Sequence, residues 1–266
     1  MFEDKFVLLR GGGDIATGIA YVLHNAGFKI IITEISQPSA IRRTVAFSDA
    51  IYNGTQIVEN ITCVKVNDIN EAKGILSQDN IPILVDERLD LLNDIKPDIL
   101  VDSILAKKNL GTSIDMADLV IGVGPGFTAK KDCHYVIETM RGHNLARVIE
   151  NGKAMPNTGV PGLIANHGKD RVIHAEVDGT IKNVKKISDE VKAGDIIAYI
   201  DDIPVKATID GILRGIIIDG YKVTKGLKIA DIDPRISEKN NCFTISDKAR
   251  AIGGGVLMSI LRHYKA

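Results

Sequence analysis

An apolar strand that breaks into Gly11-Gly12-Gly13 at the mouth of a helix, further apolar runs alternating with polar or helical stretches, and a late segment that repeats itself at a fixed offset together predict the fold of this 266-residue chain. The predicted class is α/β: a Rossmann-like parallel sheet domain, then a duplicated β barrel-sandwich of biotinyl/lipoyl-like type, then a C-terminal helix. The domains are expected at 1–155, 166–236 and 237–266, the last a helical segment packing back on the body.

The first unit rests on Phe6 to Leu9, apolar, followed by the glycine turn and by Ile15, Ile19, Val22, Leu23 and Ala26 at helical spacing until Gly27. Phe28 to Thr33 is a second apolar run closing on Glu34, which completes a βαβ unit of ordinary size. Apolar runs at Cys63–Val66, Ile81–Val85, Ile99–Val101 and Leu119–Val123 continue the pattern of a parallel sheet covered on both faces. His134–Thr139 and Ala146–Ile149 alternate in the strand period and add one or two late strands.

Asn151-Gly152, Pro156-Asn157-Thr158-Gly159 and Pro161-Gly162 crowd turn formers together, which marks the boundary. Beyond it, Ile173-His174-Ala175-Glu176-Val177-Asp178-Gly179 returns 32 positions later as Val205-Lys206-Ala207-Thr208-Ile209-Asp210-Gly211. Val191, Gly194, Ile197, Ala198, Ile200 and Asp201 fall on identical residues at the same offset, so one strand unit is used twice. Ala249, Ile252, Val256, Leu257, Ile260 and Leu261 mark the terminal amphipathic helix, whose Gly253-Gly254-Gly255 implies a close backbone approach.

Charge narrows the function. Lys and Arg total 33 against 34 Asp and Glu, a formal charge of −1, so no global field draws the chain to nucleic acid or an anionic membrane. Three scattered cysteines without a C-x-x-C pair, a start lacking a signal-peptide pattern, and no long apolar stretch predict a cytoplasmic protein.

Chemistry is expected first at Gly11-x-Gly13-x-x-Ala16. Glycines there let a backbone approach a pyrophosphate, with Gly12 between them, while the helix N-terminus supplies N–H groups and positive dipole, and Glu34 accepts from a ribose hydroxyl. Asp14 opposes this, since a carboxylate at a helix start competes with a phosphate. Arg42, Arg43 and Thr44 follow the second strand, where paired arginines can fork to a phosphate, pterin or carboxylate, or form an ordinary solvated turn. Gly124 and Gly126 end another apolar strand, a position where ligands of open sheets sit.

Asp132, His134, Glu138 and His143 raise a metal or acid–base set, but strand alternation would put His134 and Glu138 on one face with Asp132 while leaving Cys133 opposite, and no metal site is predicted. Neither G-x-S-x-G, H-E-x-x-H nor a Walker loop is present, so catalytic residues stay unknown. The turn between the repeat halves reads Asp201-Asp202-Ile203-Pro204 and offers no exposed lysine, Lys206 belonging to a strand. Covalent carriage of biotin or lipoate is therefore disfavoured, and the barrel becomes a docking, dimerisation or positioning module, which leaves a homo-oligomer open.

The strings Leu9–Ala20, Ala40–Ser48, Gly122–Thr128, Glu138–Leu145, Pro156–Gly162 and Lys228–Arg235 together resemble the selenium-dependent molybdenum hydroxylase maturation proteins, over nearly the whole chain. The N-terminal half is distantly similar to the Rossmann part of xanthine dehydrogenase accessory proteins. The resemblance implies a bacterial cytosolic accessory protein that binds or hands over the molybdenum cofactor, or a dinucleotide form of it, to a molybdenum hydroxylase client. It would place the cofactor at Gly11–Ala16 and Glu34, with Arg42, Arg43 and the Gly124–Gly126 loop around its phosphate or pterin end. Two rivals remain: an NAD(P)-dependent oxidoreductase with His134 or His143 as acid, and a non-enzymatic scaffold. Among the cysteines only Cys133, beside His134, is placed to handle selenium, the alternative being a buried core thiol.

Overall fold

The computed structural model describes residues 5–159 and 167–265, so Pro161-Gly162 and the expected start of the second domain at 166 lie outside the described residues. Two compact units divide them. The first takes 5–38, 46–158 and 245–265, and the second takes 39–45, 159 and 167–244.

In the first unit, β1 (Phe6–Arg10) leads through α1 (Asp14–Asn25) to β2 (Lys29–Glu34), and α2 (Ala50–Asn53) precedes the hairpin of β3 (Thr55–Val58) and β4 (Ile61–Lys65). Then come α3 (Ile69–Leu76), β5 (Ile81–Val85), β6 (Ile99–Asp102), β7 (Leu119–Val123), β8 (Thr128–Ala129), β9 (Tyr135–Ile137), β10 (Val148–Ile149) and β11 (Gly152–Lys153). Nine strands form one sheet in the order β10-β9-β7-β6-β1-β2-β5-β4-β3, and β8 and β11 form a separate two-stranded sheet. Val7, Leu8, Leu9 and Ile30–Ile32 are all buried, because the central strands are covered on both faces. Leu8, Ile31, Leu100 and Val120 share a core with Ala72 of α3 on one face. The helix α4 (Asp247–Lys265), from the far end of the chain, packs on α1, β7, β9 and β10.

The expected Rossmann-like parallel sheet domain is corrected by this topology. The sheet is mixed, for β3 runs antiparallel to β4 and β10 antiparallel to β9. Helical crossovers also stop after β5: the chain reaches β6 and β7 through short 3-10 turns at Asp90–Asn93 and Ile114–Met116. The physical reason lies in the connections, since an apolar run has the same composition whichever way its neighbour points. The two residues between Val58 and Ile61, with Glu59 at φ 56°, are too few for a parallel crossover and force a hairpin.

The second unit contains β12 (Val172–His174), β13 (Gly179–Asn183), β14 (Glu190–Val191), β15 (Ile196–Ile200), β16 (Ile203–Lys206), β17 (Gly211–Ile216), β18 (Lys222–Val223) and β19 (Lys228–Asp233). The expected biotinyl/lipoyl-like barrel-sandwich is corrected as well: the strands form two separate four-stranded antiparallel sheets, β12-β19-β17-β14 and β16-β15-β13-β18. Each sheet takes two strands from either copy of the repeat, and the 32-residue shift converts the order of one into that of the other. Matching residues therefore fill one core from both copies: Ile173 and Val205, Ile181 and Leu213, Ile197 and Ile229, Ile200 and Ile232. Periodicity revealed the repeat but carries no record of which strand pairs with which, and here long-range pairing between copies decided it. Lys206 lies in β16, outside the turn at Asp201–Asp202.

Candidate functional site

The strands β1, β6, β7 and β9 run parallel, so the segments that follow them, Gly11–Gly13, Ser103–Leu105, Gly124–Gly126 and Glu138–Arg141, lie at one end of the first unit's sheet. At the β1 turn, Gly11 has φ +96°, and a Cβ there would stand 2.9 Å from Ile104 Cγ2. A Cβ on Gly12 would stand 3.0 Å from the backbone nitrogen of Ser48. These two glycines are thus explained by contacts within the protein. Gly13, which caps α1 without a side-chain partner, faces open space.

Glu34 sits beside this turn but uses its carboxylate on the backbone: Oε2 accepts from Gly12 N at 2.7 Å and Oε1 from Ile35 N at 2.8 Å. Burial pushes its pKa up, against the pull of those two bonds. It braces the glycine turn, where the sequence suggested a ribose contact. Ala16 is buried in α1, and Asp14 accepts from Ile15 N at 3.0 Å.

Beneath the turn lies a buried polar triad that the sequence reading passed over. Arg10 Nη1 donates to Asp102 Oδ2 at 3.1 Å and to Thr112 Oγ1 at 3.0 Å, while Thr112 Oγ1 donates to the same Asp102 oxygen at 2.6 Å. Arg10 Nη2 reaches the carbonyl of Leu110 at 3.2 Å, and Ser103 Oγ donates to the Arg10 carbonyl at 3.0 Å. A signal existed, because Arg10 and Asp102 are charged residues that close otherwise apolar strands.

Gly124 has φ +82° and packs against Thr139, and Gly126 has φ +116° with the backbone of Lys108 2.8 Å from where a Cβ would be. Glu138 is buried and saturated, accepting from Thr139 N, Met140 N and Met155 N, each at 2.8 Å. Arg141 forks onto Asp247 at 2.9 and 3.0 Å, pinning the first turn of α4. Position 18 of α1 meets Ala249, and Gly253 meets Gly18 and Val22, so α1 and α4 run side by side in the same direction. Both N-termini, each with its positive dipole end, therefore lie side by side, with Asp14 of α1 among the charges that Lys248 of α4 feels.

Lys248 stands between them. It is half-buried, its surrounding charges are Arg141, Asp14, Asp247 and Glu138, and among the described residues its ammonium makes no hydrogen bond or ion pair. Burial, then Arg141, lowers its pKa. No pattern in the sequence pointed to Lys248, which joins the site only through the folding of α4 onto α1.

Other expected residues lie elsewhere. Arg42, Arg43 and Thr44 belong to the second unit. Arg42 Nη2 donates to the carbonyls of Asn241 and Thr244 at 3.0 and 3.3 Å, Arg43 Nε to that of Ile216 at 3.2 Å, and Thr44 Oγ1 to that of Cys242. His134 pairs with Val120, at the opposite end of β7 from the glycine loop, and its Nδ1 accepts from Val120 N at 3.0 Å. Burial and neighbouring His263 hold it below the ordinary imidazole range, so it is neutral, which does not suit a general acid. His143 is exposed. Cys63, Cys133 and Cys242 are all buried free thiols, and burial pushes Cys133 up to about 12. Among the described residues no three His, Cys, Asp or Glu side chains gather as a metal set, and no helix is long and apolar enough to cross a membrane.

No family model matches the chain. It is 49% identical over 257 residues to the uncharacterized protein YqeB of Escherichia coli strain K12. The match covers 97% of this chain and 47% of YqeB, so the chain spans about half the length of the curated relative it matches. The relative's name speaks of neither molybdenum nor selenium. Among solved structures, the succinylglutamate desuccinylase/aspartoacylase of Rhodobacter sphaeroides is 16% identical with a TM-score of 0.27, covering 86% of this chain and 85% of that one. The product-bound ectoine utilization protein EutE (DoeB) of Ruegeria pomeroyi is 10% identical with a TM-score of 0.26, at the same coverage of 86% and 85%. Likeness of this degree carries no argument about fold or function.

Proposed function

We propose that the chain is an accessory protein for selenium-dependent molybdenum hydroxylases, and that its first unit binds the molybdenum cofactor, or a dinucleotide form of it, for transfer to the client enzyme. The observation that carries the reading is the Lys248 ammonium, without a hydrogen bond or ion pair among the described residues, between the N-termini of α1 and α4. Two helix dipoles and a lysine on one spot suit the phosphate end of such a cofactor. Arg141, in the loop after β9, is joined to Asp247 of the first turn of α4.

The fit is partial. Glu34 and the first two glycines are engaged within the protein, so the expected contact between Glu34 and a ribose is not part of the proposal. Lys248 and Gly13 would hold the phosphate, the Ser103–Leu105 and Gly124–Gly126 segments would flank the remainder, and the bound cofactor would supply the redox chemistry that the client enzyme uses.

The test is purification without oxygen from cells supplied with molybdate and selenite, then mass spectrometry of the molecules released on denaturation. Stoichiometric molybdopterin from the native chain, reduced at least about tenfold in Lys248→Gln, is the expected result, a loss of about 1.4 kcal/mol or more. Release of NAD(P) alone would replace this reading with the oxidoreductase one. A chain that carries nothing, yet captures the client, would make it a scaffold.

A further inference from the structure

The second unit contains a place where its two copies part company. Along β17 the register with β19 steps from Leu213↔Ile232 to Gly215↔Asp231, so Arg214 is the extra residue of a bulge. Its counterpart one repeat earlier, Lys182 of β13, pairs regularly with Tyr199 and is exposed. A bulge bends the strand and re-aims a side chain, and here Arg214 is half-buried where Lys182 is exposed. Among the described residues the buried Nε of Arg214 has no hydrogen-bond partner, an expensive state for a charged group.

The surroundings are cationic. Segment 39–45 lies along the bulge: a Cβ on Gly215 would be 2.8 Å from the Ile41 carbonyl and 3.3 Å from Arg42 Cγ. Arg214, Arg42 and Lys239 are the cations, and Asp233 the acid, whose charges Cys242 feels, and Arg214 acts on Asp233 as well. The acid of this group, Asp233, is already engaged, its two oxygens accepting from Arg235 Nε at 2.9 Å and Nη2 at 2.8 Å. Glu238 is hydrogen-bonded to Asn241.

We propose that the Arg214 bulge is a binding site for a phosphoryl dianion, with Arg214 as the fork and Arg42 and Lys239 as flanking charges. A guanidinium offers parallel N–H donors that match two phosphoryl oxygens, and further cations beside it favour a dianion over a single carboxylate. Free phosphate and a phosphate monoester share this chemistry. The site belongs wholly to the second unit, and it stands whether or not the first unit binds a cofactor.

The experiment uses the whole chain, following arginine Nε–H signals by 1H–15N NMR while inorganic phosphate, glycerol 2-phosphate, acetate or chloride is added at constant ionic strength. Arg214→Lys identifies the Arg214 signal by its loss and keeps the charge, so the fold has no new burden. Phosphate is expected to shift that signal saturably, and Arg214→Lys to weaken binding at least about tenfold as seen at other assigned amides, with Lys182→Gln unchanged. Tighter binding of glycerol 2-phosphate would mark an ester as the source, and tighter binding of inorganic phosphate would mark the free anion. An Arg214 signal that ignores phosphate, or that acetate moves equally well, overturns the proposal.

Discussion

Arg10, Asp102 and Thr112 show how much rests on single side chains under the candidate site. Arg10 and Asp102 are both buried, and their attraction only offsets the cost of leaving water while both are present. Asp102→Asn keeps the shape but strands the Arg10 charge, and is expected to lower unfolding stability by about 3–5 kcal/mol in urea titrations. Thr112→Val, which removes one acceptor and one donor, should cost about 1–3 kcal/mol. An Asp102→Asn protein within about 1 kcal/mol of the parent would mean that water already reaches the pair. The thiols are the opposite case, inert by burial. With Cys133 pushed up to about 12, no appreciable thiolate exists near neutrality, so an aromatic disulfide reagent at pH 8 should label the native chain only as fast as it opens, and the unfolded chain at all three cysteines. Rapid native labelling at Cys133 would restore it as a chalcogen handler.

Between elements, the approach of α4 to α1 places Lys248, and glycines permit that approach. A Cβ at position 253 would stand 2.7 Å from the Gly18 carbonyl oxygen, one at 255 would stand 2.5 Å from the Ala146 carbonyl oxygen, and one at 254 would meet nothing. Gly253→Ala should therefore force the helices apart at a cost of about 1–3 kcal/mol and weaken phosphate-dependent binding at the α1 turn. Gly254→Ala should stabilise by up to about 1 kcal/mol, because it gains helix propensity without a clash. Equal effects of the two, measured by thermal unfolding, would remove close packing as the reason for the triplet. That Gly253-Gly254-Gly255 signals a close approach was readable from residues alone, since three glycines in an apolar-periodic helix need a cause. What they approach was not readable, because α1 and α4 lie more than two hundred residues apart in the chain.

At the scale of the molecule, strand positions such as β1, β2, β5 and β7 were legible because burial on both faces leaves an uninterrupted apolar run. Pairing was not, because direction and neighbours depend on loop lengths and on partners far off in sequence; hence the mixed sheet and the paired antiparallel sheets. The candidate site followed the same division: Gly11–Gly13 and Gly124–Gly126 were visible as strand-end turns, whereas Lys248 and the Arg10 triad needed the fold. The pH dependence of stability also arises only in the assembled first unit. His134 lies edge-on to His263 of α4's last turn, ring centroids 5.5 Å apart, with Asp115 the acid whose charge it feels. Burial and His263 lower the folded-state pKa of His134 from its ordinary value of 6.5. As pH falls through that value the unfolded chain takes up a proton that the folded chain resists, so stability is present above the window and is lost below it. His134→Asn removes the titration while leaving a carbonyl oxygen to accept from Val120 N. It should cost about 0.5–1.5 kcal/mol near pH 8, and this deficit should shrink as both proteins are taken to pH 5. Carboxylates elsewhere titrate alike in the two proteins and cancel in the difference, so denaturation curves that stay a constant distance apart across that range would remove His134 from the account of acid sensitivity.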